Sequence, residues 1–119
     1  MATVIWKTKN ITDNLGWKTR VQSNIWSPPT DIFEVKTGYI VRVEVAGMLH
    51  QEFFIQLDDN ILFISGSRID TPDRRAFHQM EIHFGEFRTF VVIPGPVIIE
   101  NISAEYHDGF LIIVLPKQL

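Results

Sequence analysis

Asp108-Gly109 constrains this chain more than any other feature. The pair lies in AEYHDGFLIIVLPK, residues 104–117, between two runs rich in apolar residues. Asp-Gly in that setting favours a two-residue type I′ turn, because both central positions need positive φ. Such a turn fixes the register of the flanking strands. His107 then faces Phe110, Tyr106 faces Leu111, Ala104 faces Ile113 and Ile102 faces Leu115. The last three pairs share one face, and every member is apolar. The other face pairs Glu105 with Ile112 and Ser103 with Val114 and is mixed. A slip of one residue would set Glu105 against Ile113 and spoil the clean face. Burying Leu111, Ile113 and Leu115 should stabilise by about 1.5–3 kcal/mol each.

The rest of the body repeats this period of two. In YIVRVEV, Tyr39, Val41, Val43 and Val45 face one way, with Ile40, Arg42 and Glu44 opposite. FFIQL places Phe53, Ile55 and Leu57 together, and the Asp58-Asp59-Asn60 turn follows. In ILFIS, Leu62 and Ile64 alternate with Ile61 and Phe63, and Gly66 is read as the strand's end. FRTFVVI is a further strand, stopped by Pro-Gly-Pro. Short strands at regular spacing predict an all-β fold, an antiparallel β-sandwich. Residues 67–79 are polar and carry Pro72 and Arg74-Arg75; a loop of this length is usually functional or partner-bound.

One apolar set is left over. Phe110, Ile112 and Val114 alternate out of step with the core set of their strand, as do Phe54, Phe63, Phe90 and Val92 on others. Two readings stand: a thick core covered by the N-terminal arm, or exposed apolar strips for partners.

A chain of 119 residues suits one domain that needs no covalent or metal staple. The absence of cysteine excludes a disulfide scaffold and a thiolate metal site. No signal-like apolar region opens the chain and no run of about eighteen apolar residues exists, so the expectation is a cytoplasmic protein that does not span a membrane. The net charge of −3 argues against nucleic acid as main partner. Residues 1–29 hold Lys7, Lys9, Lys18 and Arg20 against Asp13, a net of +3. The remainder sets seven Lys/Arg against thirteen Asp/Glu, a net of −6. Residues 1–25 lack a sustained period and read as an N-terminal arm with at most one short helical or strand piece. Residues 26–119 read as the folded domain, opening at the helix-breaking Trp26-Ser27-Pro28-Pro29.

Catalytic patterns are missing. There is no phosphate loop and no nucleophile elbow. His78 and His83 stand five apart, so on a strand they point to opposite faces. Asp58-Asp59 fits a turn better than an acid–base pair, and His107 beside Asp108 fits a hairpin tip. The chain is expected not to be an enzyme and to need no cofactor or metal.

The ordered motifs resemble the small heat-shock proteins through their alpha-crystallin domain. Ala104, Asp108, Gly109 and Leu111, followed by Leu115-Pro116-Lys117, match the signature A-x-x-x-n-G-x-L. WSPPTDIFE, VEVAGMLHQEFFIQLDDNILFISGSR and FHQMEIHFGEFRTFVVIP resemble the family's earlier segments, so the match runs in order over residues 26–117. The resemblance implies an immunoglobulin-like sandwich with a long strand-exchange loop. It implies an ATP-independent holding chaperone that binds partly unfolded clients. It also implies a homodimer, with higher oligomers open. In the bacterial, archaeal and plant-like branch, Arg74, Arg75, Ala76, Phe77 and His78 would reach Asp31, Ile32 and Phe33 in the partner's opening strand. The physics is β-augmentation. A groove between two edge strands, with Phe53, Ile55 and Leu57 on one wall and Ile102 and Ala104 on the other, would take a neighbour's I-x-I tail.

Three departures stand out. This sequence reaches Leu119 without such a tail, which fits either a shortened chain or dimers and small assemblies. Thr89 stands where many members have arginine, and Ala46 where proline is usual. The alternative family is the CS-type adaptor, which shares the sandwich, is expected to be monomeric and binds one folded partner.

Opposite charge on arm and body predicts docking that salt loosens, because exposed charges are screened over about 8–10 Å. Protease cutting within residues 1–25 should rise with ionic strength; cutting that ignores salt would count against docking.

Overall fold

Alternation within each strand sorts the side chains into one shared interior. The computed structural model describes residues 3–7, 25–49, 51–71 and 75–118. Among these, eight strands form two sheets: β1 (Thr3–Lys7), β2 (Thr30–Val35), β3 (Gly38–Glu44), β4 (Glu52–Asp58), β5 (Ile61–Arg68), β6 (Gly85–Val92), β7 (Ser103–His107) and β8 (Phe110–Pro116). One sheet has the order β1-β4-β5-β6 and the other β2-β3-β8-β7. A short 3₁₀ turn, Ile99–Asn101, leads into β7.

The hairpin takes the register that the turn dictates. Ala104 pairs with Ile113, Tyr106 with Leu111 and His107 with Phe110. Asp108 and Gly109 have φ of 52° and 85°, the two left-handed positions of a type I′ turn. Leu111, Ile113 and Leu115 are fully buried, as are Val41, Val43 and Val45 of the β3 segment. Facing them across the interior are Phe53, Ile55, Leu62, Ile64 and Phe87. The rings of Phe53 and Tyr106 lie 5.2 Å apart, joining β4 to β7 between the sheets. The Tyr106 hydroxyl donates to the Val45 carbonyl at 2.7 Å and accepts from the Met48 amide at 3.3 Å. The edge strand β7 is thereby tied to the loop after β3.

Thr89 is buried on the inner face of β6. Its hydroxyl lies 2.8 Å from that of Thr30, which donates to the Pro28 carbonyl at 2.9 Å. Thr30 has one hydroxyl proton, so Thr89 is the donor between the two. A small neutral pair thus joins β6 to β2 where the family pattern suggests an arginine. Among the described residues no buried side-chain polar atom lacks a partner.

One expectation needs correction. Gly66 does not end β5, which continues to Arg68. The glycine sits in mid-strand because a Cβ there would meet the Phe87 ring at 2.6 Å and the Glu52 carbonyl oxygen at 3.0 Å. The sandwich is antiparallel as expected, with one parallel pair added at the edge of a sheet. Thr3–Lys7, inside the expected arm, forms β1 and pairs with β4 in parallel, Thr3 with Glu52 through Lys7 with Gln56. The rest of the expected arm, residues 8–24 with Trp17, lies outside the described residues.

Gly66→Ala should lower stability by about 1–3 kcal/mol through overpacking against Phe87. Urea unfolding checks this: the midpoint should fall with the slope unchanged.

Candidate functional site

The described residues offer edges and faces rather than a reactive cleft. They contain no cluster of three or more His, Asp or Glu able to hold a metal ion. They contain no helix long and apolar enough to cross a membrane. His50 and Arg74 lie outside the described residues.

β2 is the outermost strand of its sheet, so one side of its backbone faces away from β3. It carries Asp31, Ile32 and Phe33. Asp31 is ion-paired with Arg42 at 2.7 Å, and that guanidinium also lies over the Phe33 ring at 5.3 Å. Ile32 is half-buried and packs on the core. Asp31 and Phe33 are exposed.

The loop after β5 reaches from Ile69 to Phe84 with no strand among its described residues. Phe77 and His78 are exposed on it. Arg75 pairs with Asp70 at 2.7 Å and covers the Phe77 ring at 5.0 Å. Ile69, Phe77, Met80 and Ile82 are 65%, 51%, 62% and 67% exposed. Four large apolar side chains on one loop are therefore left without an interior of their own.

The base of this loop is a cluster that sequence reading missed. The Arg68 guanidinium lies over Trp26 at 4.4 Å and over Phe84 at 5.2 Å. It donates to the Ala46 carbonyl at 3.1 Å, and its Nε donates to the His83 carbonyl at 2.9 Å. The His83 ring stacks on Trp26 at 5.5 Å, and the indole N–H donates to the Gly85 carbonyl. Trp26 followed by two prolines was the available signal, since it holds a large ring at the start of the domain. Its partners stand 42 and more positions away, and no local pattern names them.

The expected groove is only partly open. Phe53, Ile55 and Leu57 do stand on β4, but their side chains are buried in the core. Its outer edge is not free as expected, because β1 occupies it from Glu52 to Gln56. Beyond Gln56 a cleft of about 460 Å³ opens, lined by Leu57, Ile93, Pro94, Val97 and Ile99 with Asp59 and Asn60. On the other wall Ile102 and Ala104 are half-buried against the core, and β7 is the outermost strand of its sheet.

The leftover apolar residues divide between the two outer faces. Phe54, Phe63 and Phe90 lie on the β4-β5-β6 side, with the Phe63 and Phe90 rings 6.0 Å apart. Phe90 is 59% exposed, but Phe63 is only 7% exposed although it stands outside the core cluster. Phe110, Ile112 and Val114 lie on the opposite outer face, on β8. The signature residues sit together at the hairpin. Ala104 is the small partner of Ile113, and a Cβ on Gly109 would meet that of Ala46 at 3.3 Å.

The comparisons agree with this architecture. Residues 31–119 match the model of the Hsp20/alpha crystallin family. The small heat shock protein C4 of Rickettsia felis is 30% identical over 107 residues, which cover 88% of this chain and 66% of that protein. The chain therefore spans about two thirds of the length of that relative. Among solved structures, HSP18.5 from E. histolytica superposes with a TM-score of 0.68 at 30% identity, over 77% of this chain and 88% of that one. The hspA of Xanthomonas axonopodis gives 0.70 at 26% identity, over 78% and 95%. Sandwich, hairpin signature and family match together place this chain in the Hsp20/alpha-crystallin family, the small heat-shock proteins.

Proposed function

We propose that this protein is an ATP-independent holding chaperone built on a strand-exchanged homodimer. The observation that carries the reading is the loop from Ile69 to Phe84, with four exposed large apolar side chains, in a chain whose β2 edge lacks an outer neighbour among the described residues. In the dimer, residues 74–78 of one protomer run beside Asp31–Val35 of the other. Backbone hydrogen bonds supply affinity, and Phe77 fixes the register by entering apolar surroundings. The Arg68 cluster holds the loop's base rigid, so the loop projects from a fixed point. The domain is residues 26–119, and the preceding residues act as its arm.

Clients would bind through apolar strips. Phe54 and Phe90 on one outer face, and Phe110, Ile112 and Val114 on the other, offer exposed or half-exposed area to partly unfolded chains. Such contact is non-directional, scales with apolar area and needs no nucleotide.

Two measurements test the reading. Heating an aggregation-prone enzyme without nucleotide should give clearly reduced light scattering at one dimer per enzyme chain; unchanged scattering would remove the chaperone role. Sedimentation should give a dimer or a multiple of it. Phe77→Asp should shift the mass toward one chain, because a charge would be desolvated at the contact. A wild-type protein that sediments as a clean monomer favours the CS-type adaptor instead.

A further inference from the structure

We propose that Asp31 and Arg75 form a charge code for self-pairing: Asp31 on the β2 edge selects the loop of a second copy through the partner's Arg75. The proposal rests on the reading of the protein as a strand-exchanged homodimer and adds what makes a chain choose its own kind. The observation is one constellation that occurs twice. On β2, Asp31 pairs with Arg42 at 2.7 Å, and that guanidinium lies over the Phe33 ring at 5.3 Å. On the loop, Asp70 pairs with Arg75 at 2.7 Å, and that guanidinium lies over the Phe77 ring at 5.0 Å. In each, an arginine is held between a carboxylate and an aromatic ring.

Spacing and charge make the two surfaces complementary. Asp31 and Phe33 are two apart on a strand, so they share a face, and both are exposed. Arg75 and Phe77 are also two apart, so an added strand carries them on one face. Aligned in phase, the faces set Arg75 against Asp31 and Phe77 against Phe33. In the opposite direction Arg75 stands diagonal to Asp31, within reach of its long side chain. β2 carries Asp31 and Glu34 and no basic residue, whereas residues 75–78 carry Arg75 and no acidic one. Of the two acids, Asp31 is the available one. Glu34 is paired with Lys117 at 2.6 Å, and that ammonium is also seated over the Tyr39 ring at 5.6 Å.

Neither charge has to give up much. Arg42 binds Asp31 through Oδ2, and an ionised carboxylate has about four acceptor sites, so a second guanidinium adds without displacing the first. Arg75 is exposed, and a surface ion pair such as its bond to Asp70 contributes little. Asp70 is not orphaned on release, because its Oδ1 accepts from the Thr71 amide at 2.8 Å. Cover by the added strand lowers the local dielectric and strengthens the new pair. A like charge at either position would instead be desolvated and repelled, so a subunit without the complement is refused.

The test uses the full chain and two charge-reversed variants, Asp31→Lys and Arg75→Glu. A two-fold dimer holds the contact twice, so each variant alone places like charges at both contacts. Sedimentation should show the dimer dissociation constant of each raised about tenfold or more. Mixed one to one, the variants should re-form dimers. One contact of the mixed dimer is then wild type, and the other has both charges inverted. Native mass spectrometry, which separates the two chains by mass, should find mixed dimers well above the half expected from random pairing. The double variant, with both contacts inverted, should recover dimer affinity as well. Homodimers of both single variants as tight as wild type, or random pairing in the mixture, would overturn the proposal and leave the dimer reading intact. Variants that stay monomeric when mixed would overturn it too, since a lost charge complement is restored by the mixture and a damaged fold is not. A wild-type chain that sediments as a monomer removes the dimer reading and this code with it.

Discussion

The left-handed pair Asp108 and Gly109 carries the constraint on which the rest of the sandwich depends. Positive φ at both positions reverses the chain in two residues and leaves one register for β7 and β8. That register sends Leu111, Ile113 and Leu115 inward and sets Tyr106 beside Phe53 on the facing sheet. Tyr106 in turn ties the loop between β3 and β4 through Val45 and Met48. Gly109 lies against Ala46 of that loop, so the hairpin tip is held as well as formed. A shift of one residue would turn three fully buried side chains to solvent, which no other contact of the body could offset.

With the core set, the edges decide what the molecule can do. A two-sheet sandwich has four outer strands, here β1, β6, β2 and β7. β6 is bridged by Trp26, whose amide and carbonyl bond to Glu86 and Arg88. β4 is covered by β1. β2 and β7 have no outer neighbour among the described residues, and the loop rich in exposed apolar side chains arises from the far end of β5. Open backbone edges and unhoused apolar groups are complementary needs, and strand addition answers both.

Much of the fold was legible because strands announce themselves by a period of two. The inward sets of β3, β4, β5 and β8 follow from alternation alone, and the hairpin follows from its turn. Gly66 was misread for a physical reason. Glycine marks a strand's end as readily as a close approach, and only the position of Phe87 decides between them. The candidate site was less legible. Residues of the loop and of the opening strand were recognised through the family's motifs, and their local pattern carries no sign of what they touch. Phe63 shows the same gap: its outward phase on β5 is correct, yet it is buried, which phase cannot report.

By itself the sequence determined the all-β class, the inner face of the body's main strands and the register of the last hairpin. These are local consequences of side-chain alternation and of one turn with positive φ. Only the tertiary structure decided that Thr3–Lys7 lies along β4, that Arg68 is clasped by Trp26 and Phe84, and that Thr89 meets Thr30. Each joins segments far apart in the chain, and such pairings depend on which surfaces the folded sheets leave within reach.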